Sequence, residues 1–287
     1  MDYQRLSRRV RAAKQPHGGY LNPRAMDVRY LTGDAPSLLD HKAECIHPSL
    51  VGIAVDYLTR YALAPLNNDV GWYRAERAFS ISRNGAEMVG QKDYADGLCE
   101  FLNEELERVG QRPEDSSVDY WLPCLWDHET GEVHENMRVT VPGTEAIYAA
   151  VKLASFDVAF RAGVDQYNPE ARTTPDARTV EHIAIMVGRA LNFFREYGPV
   201  TGSGFWAGDS DGDFLTADTI WDFKVSVNPP TKEHTLQLLA LWIMGKRQFE
   251  KINYLGIFNP RMDAVYRFPI ASIPAEVIAE ISASDIV

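Results

Sequence analysis

The chain is poor in cysteine, and the three it has, Cys45, Cys99 and Cys124, stand far apart. No CxxC pair occurs, which excludes a zinc ribbon or a dithiol redox motif. An odd, sparse set suits a reducing compartment, so a cytoplasmic protein is expected. No apolar run approaches the ~18 residues of a membrane span. No apolar stretch follows the charged start Met1-Asp2-Tyr3-Gln4-Arg5, so a signal peptide is not expected either. Internal repeats, low-complexity tracts and a lysine-bearing phosphate loop are also missing. Gly202-Ser203-Gly204-Phe205-Trp206-Ala207 has the outline of a dinucleotide fingerprint, but an Asp-rich stretch follows it where a helix is required, so no nucleotide cofactor is expected.

Bases are scarce as well. Twenty-nine Lys and Arg face 40 Asp and Glu, a formal charge of −11. Taken alone, that deficit argues against a polyanionic partner. It is nevertheless local. Glu87 to Glu135 holds 14 acids and three bases, Lys92, Arg108 and Arg112, and the remaining chain is neutral. That stretch reads as a solvated helix face and loop, and as the surface nucleic acid should avoid. Within it, Asp127 to Glu135 carries metal-ligand residue types, yet Thr130-Gly131 is an ordinary turn signal.

What is present is a core. The chain has 287 residues, 45% apolar and 11% aromatic, enough for one large domain or two ordinary ones. The first 25 residues carry six bases and one acid, Asp2, and read as a solvated helical terminus or as an arm touching phosphates. Helices are expected over Pro48–Leu63, Tyr94–Val109 and Thr144–Ala162, with residues 111–143 irregular or β-rich. A polar, Pro-marked boundary near residue 165 suggests a mainly helical region 1–165 and a second domain 166–287. There, Thr174 as cap and Pro175 open a helix to Tyr197. Short strands follow at Val200–Trp206, Asp213–Thr216 and Thr219–Val225, then a helix from Lys232 to Phe249, then strands at Ile252–Phe258 and Ala264–Phe268. That order predicts an α/β or α+β core, a mixed sheet flanked by helices. Trp206, Trp221 and Trp242 read as packing residues.

The chemistry concentrates between Gly208 and Lys224. With Ala217-Asp218 as the loop of a tight hairpin, strand residues pair when their numbers sum to 435, which sets Asp213 opposite Asp222, roughly 5 Å apart at Cβ. Lys224, two residues on, shares that face. Two adjacent carboxylates raise one another's pKa unless a cation separates them. Mg²⁺ accepts one or two carboxylates and keeps waters that a phosphate can displace. An ammonium beside it can orient a water or stabilise charge on phosphorus. An EF-hand starting at Asp209 fails, because Phe214 and Ile220 occupy the positions requiring Gly and Glu.

Asp213, eight intervening residues and Asp222-Phe223-Lys224 resemble the D…(D/E)xK signature of the PD-(D/E)XK nuclease superfamily, over about residues 176–268. The resemblance implies a restriction-endonuclease-like fold and a metal-dependent nuclease, with Mg²⁺ or Mn²⁺ held by Asp213, Asp222 and the Phe223 carbonyl, and Lys224 as catalytic lysine. Gly212 stands where the pattern often has Pro. Gln237 resembles a glutamine motif of some members, although Leu241 replaces the Tyr expected four residues on. Among upstream acids, Glu181 is preferred over Glu196. The cysteines do not fit an iron–sulphur cluster, since none follows residue 124. Lys232, Lys246, Arg247 and Arg261 are candidate phosphate contacts, Arg261 at a hairpin tip. The partner implied is nucleic acid, most simply DNA, with the N-terminal region available for a second copy or a protein partner. The alternative is a catalytically idle nuclease fold that binds nucleic acid or protein.

Overall fold

The computed structural model describes residues 6–64, 74–110, 119–127, 132–246 and 248–287. The Thr130-Gly131 turn and Arg247 lie outside them. In chain order the elements are α1 (Leu6–Ala12), β1 (Asp27–Tyr30), α2 (Pro48–Leu63), α3 (Arg74–Ala78), α4 (Ser80–Met88) and α5 (Lys92–Gly110). A hairpin of β2 (Asp119–Asp127) and β3 (Glu132–Thr140) precedes α6 (Thr144–Ala154), α7 (Asp157–Ala162) and α8 (Ala177–Tyr197). Then come β4 (Val200–Ala207), β5 (Ser210–Thr216), β6 (Thr219–Phe223), α9 (Lys232–Met244), β7 (Tyr254–Asn259), β8 (Ala264–Pro269) and α10 (Ala275–Ser282). The fold is mixed α+β, and no described helix is long and apolar enough to cross a membrane.

The chain forms two compact units. One joins Met1–Leu38 to Val200–Val287, and the other is Leu39–Pro199. A single boundary near residue 165 is therefore not what the fold adopts. The N-terminal segment belongs with the C-terminal sheet because β1 pairs antiparallel with β8, from Asp27↔Arg267 to Tyr30↔Ala264. It also belongs there because Leu6 and Val10 of α1 are buried in the core built around α9. A four-residue strand, Asp-Val-Arg-Tyr, is too short for alternation to reveal it.

The helical unit follows ordinary rules. Pro48 takes the first helical position of α2, and the His47 ring accepts the Ser49 N–H at 3.3 Å. Val51, Ala54, Val55 and Leu58 are fully buried. The helix expected over 144–162 breaks at Ser155-Phe156, where the Ser155 hydroxyl donates to the Lys152 carbonyl at 2.7 Å. Asp176 rather than Thr174 caps α8, its carboxylate accepting the Thr179 N–H at 2.8 Å.

The sheet unit positions the candidate site. Its six strands run β1-β8-β7-β6-β5-β4. Among its described strands only β6 and β7 pair in parallel, and α9 is the crossover between them. Ile220, Leu255, Ile257 and Tyr266 pack with Leu236, Leu239 and Ala240 of α9 in one core. The rings of Phe214, Phe223 and Phe258 form a second cluster, with centroids 4.4 Å and 5.2 Å apart. These three alternate with the α9-side residues along their strands, so they line the opposite face.

Candidate metal centre

The β5–β6 hairpin has the expected register. Phe214 pairs with Trp221 and Leu215 with Ile220 around the Ala217-Asp218 loop. Side chains lock it. The Trp221 indole donates to Thr216 Oγ1 at 2.9 Å, Thr219 Oγ1 donates to Asp218 at 2.7 Å, and Arg267 donates to Asp218 at 3.0 Å. Beyond Phe214–Trp221 the backbone ladder stops. There the Asp213 carboxylate accepts the Phe223 N–H at 2.8 Å. The N–H and C=O of a strand residue face the same edge, so the Phe223 carbonyl is also on the β5 side, beside Asp213.

Asp222, Lys224 and Asp213 come together as the spacing predicts. Lys224 Nζ donates to Asp222 Oδ1 at 2.7 Å. Asp222 is 3% exposed, and its Oδ2 is buried with no hydrogen-bond partner among the described residues. Burial drives its pKa up, the Lys224 charge opposes this, the Asp213 carboxylate adds to it, and the result is about 7. A buried carboxylate oxygen without a partner is costly in a folded protein. A divalent cation placed on it would remove that cost and the repulsion from Asp213, so the donor set fits a hard, oxygen-preferring ion. Among the described residues no group of three or more His, Cys, Asp or Glu side chains gathers at metal-binding range. The candidate set is therefore two carboxylates and one carbonyl, leaving the remaining positions to water, as Mg²⁺ favours.

Sequence reasoning missed His234, in the first turn of α9. Its Nδ1 accepts the Thr231 N–H at 3.2 Å, which puts the ring proton on Nε2. Burial first, and then the Lys224 charge, push its pKa down to about 4, so the imidazole is neutral. The available signal was the Thr-x-x-His spacing at the helix start, a capping-box position with His in place of Glu. Gln237 follows His234 by three residues and is half-buried on the same helix.

Among the other expected residues, Glu181 lies on α8 in the helical unit, exposed and paired with Arg178 at 2.7 Å. Lys246 is at the far end of α9 from Lys232, roughly 20 Å along the helix, with its ammonium 5.6 Å from the Trp242 ring. Arg261 is not an exposed hairpin tip but is 2% exposed. The N-terminal segment covers that turn. Leu31 N–H donates to the Asp263 carbonyl, Ser37 N–H to the Met262 carbonyl, and Thr32 to the Asp263 carboxylate. A guanidinium buried there is not presented to a backbone phosphate. Trp221 and Trp242 pack inside as expected, whereas Trp206 is 66% exposed. Gly212 sits under the Phe205 ring, where a Cβ would come within 2.1 Å, a local reason against the more usual Pro.

Comparison of the chain with protein-family models, with curated proteins and with solved structures finds no match.

Proposed function

We propose that the protein is a metal-dependent nuclease that hydrolyses phosphodiester bonds, with DNA as substrate, and that its sheet unit is a restriction-endonuclease-like core. The reading rests on one observation above all. A buried Asp222 carboxylate gives one oxygen to Lys224 and leaves the other without a hydrogen-bond partner among the described residues, beside Asp213. Asp213, Asp222 and the Phe223 carbonyl would hold Mg²⁺ or Mn²⁺, which supplies Lewis-acid activation of water and of the phosphoryl oxygens when bound. Lys224, held by Asp222, orients the attacking water and stabilises negative charge growing on phosphorus. The neutral His234 ring adds no second positive charge near that ammonium. Burial of Asp222 keeps bulk water from screening these charges.

The experiment incubates the protein with supercoiled plasmid, linear duplex and RNA, each with Mg²⁺ or Mn²⁺, alongside Asp222→Ala and Lys224→Ala. The wild type is expected to cut, and each variant to lose about 100-fold or more in rate. A wild type that cuts none of these, or an Asp222→Ala protein that cuts as well, overturns the reading. The first of those outcomes leaves the fold as a binding module.

A further inference from the structure

A cleft of about 810 Å³ opens beside the first turn of α9, lined among others by His17, Arg24, Lys232, Pro230, Tyr30 and Tyr266. Among the described residues no acid lines it. His17, Arg24 and Lys232 make no ion pair among the described residues, although Glu233, next to Lys232 in the first turn of α9, feels the Lys232 charge. The N-terminal segment that supplies two of them is fixed in place. The Leu21 carbonyl accepts the Thr235 hydroxyl at 2.7 Å. Gly19, at φ +87°, passes so close that a Cβ there would meet Lys232 Cβ at 2.6 Å. The cations are thus held around the start of a 13-residue helix, whose dipole adds to their attraction for anions.

The cleft is in line with the metal centre. Asp222 pairs with Ile257, and Ile257 pairs with Tyr266, so Asp222 and the Tyr266 wall share one row of the sheet. Two strand spacings separate them, about 10 Å. A nucleic-acid strand advances about 3.4 Å per phosphate along its axis, so that distance corresponds to about three nucleotides.

We propose that this cleft binds the phosphodiester backbone of the substrate strand, about three nucleotides from the phosphate presented to Asp213 and Asp222. Arg24 and Lys232 make the contacts to phosphate oxygens, with the His17 ring at the rim. Tyr30, Tyr266 and Pro230 give the sugar edge an apolar wall. The assignment rests on the nuclease reading, but its test is separable from that reading.

The probe is a fluorescein-labelled 20-nucleotide DNA, single-stranded or duplex, followed by anisotropy in EDTA as salt is raised. The proteins are wild type and Arg24→Ala/Lys232→Ala, with thermal melts to confirm folding. The double variant is expected to bind about 10-fold more weakly, and its log–log salt slope to be shallower by about 1.4 on single strands, from two lost contacts. A folded double variant that binds with wild-type affinity and slope overturns the cleft assignment, even if the wild type cuts DNA. So does a wild type that binds neither probe. Binding that depends on Arg24 and Lys232 in a protein that never cuts sustains the cleft and removes the nuclease.

Discussion

Asp222 is where the sequence pattern and the physical cost of burial meet. Its carboxylate ionises less readily in the fold than in an unfolded chain, with a pKa near 7 against the ordinary carboxylate value of 3.8. The folded state therefore holds the extra proton between those two values. Its stabilising effect is complete below about pH 4 and lost as pH rises through about 7. In metal-free protein, the melting temperature should fall over that window beyond what the other groups cause. Asp222→Asn should flatten this component of the fall, and Mg²⁺ should raise the wild-type melting temperature more at pH 8 than at pH 6. Calorimetry in EDTA and in Mg²⁺ checks both; identical profiles for wild type and variant would contradict the assignment. At this scale Asp213, Asp222 and Lys224 were legible because a two-residue hairpin loop fixes register, and register fixes which side chains share a face. His234 was not legible, since its importance comes from how a helix start approaches Lys224. The unpartnered Asp222 Oδ2 and the buried Arg261 were not either, because burial depends on what the rest of the chain lays over them.

Among the elements, those with strong periodicity or clear stop signals matched their expected ranges closely. Helix α2 ran from Pro48 to Leu63 as read, and β6, β7 and β8 shifted by only one or two residues. The errors lie where local hydrogen bonding competes with pattern, at Ser155 and at the Asp176 cap. They lie also where a strand is too short to carry a pattern, at β1. Some close contacts between elements leave no periodic trace at all. Gly85 of α4 is buried so tightly against the turn entering α7 that a Cβ would stand 2.0 Å from the Phe156 carbonyl oxygen. That oxygen belongs to the backbone, so α7 would have to move away. Gly85→Ala should destabilise the protein by about 1–3 kcal/mol, measured as a lower denaturation midpoint. An unchanged or higher midpoint would mean that helix propensity outweighs the clash.

At the scale of the whole molecule, charge and domain structure coincide. The residues of the sheet unit, Met1–Leu38 and Val200–Val287, carry 14 acids and 14 bases. Leu39–Pro199 carries 26 acids and 15 bases, the entire −11. The unit holding the candidate metal centre is thus neutral overall, with five of its acids, Asp209, Asp211, Asp213, Asp218 and Asp222, in or near the β5–β6 hairpin. The discontinuous architecture also makes a prediction about dissection. A fragment of residues 166–287 lacks β1 and α1, which leaves one edge of β8 unpaired and part of the α9 core uncovered. It keeps α8 without the α2 and α6 it packs on. Such a fragment should show no cooperative thermal transition by circular dichroism and should bind a hydrophobic dye, while the full chain melts cooperatively. A fragment that melts sharply would show that the C-terminal segment is self-sufficient.

By itself the sequence determined the strand and helix order from α8 to β8, though not the closing helix α10, together with the register of the β5–β6 hairpin and hence the shared face of Asp213, Asp222 and Lys224. All of these follow from short-range rules of loop length and side-chain alternation. Only the tertiary structure decided that residues 6–38 complete the C-terminal sheet unit and that α8 lies outside it. It also decided that Arg261 is buried and that Arg24 and His17 stand beside Lys232. Apart from the placement of α8, each of these depends on segments some 200 residues apart packing together, and no local pattern encodes which distant surface a segment will cover.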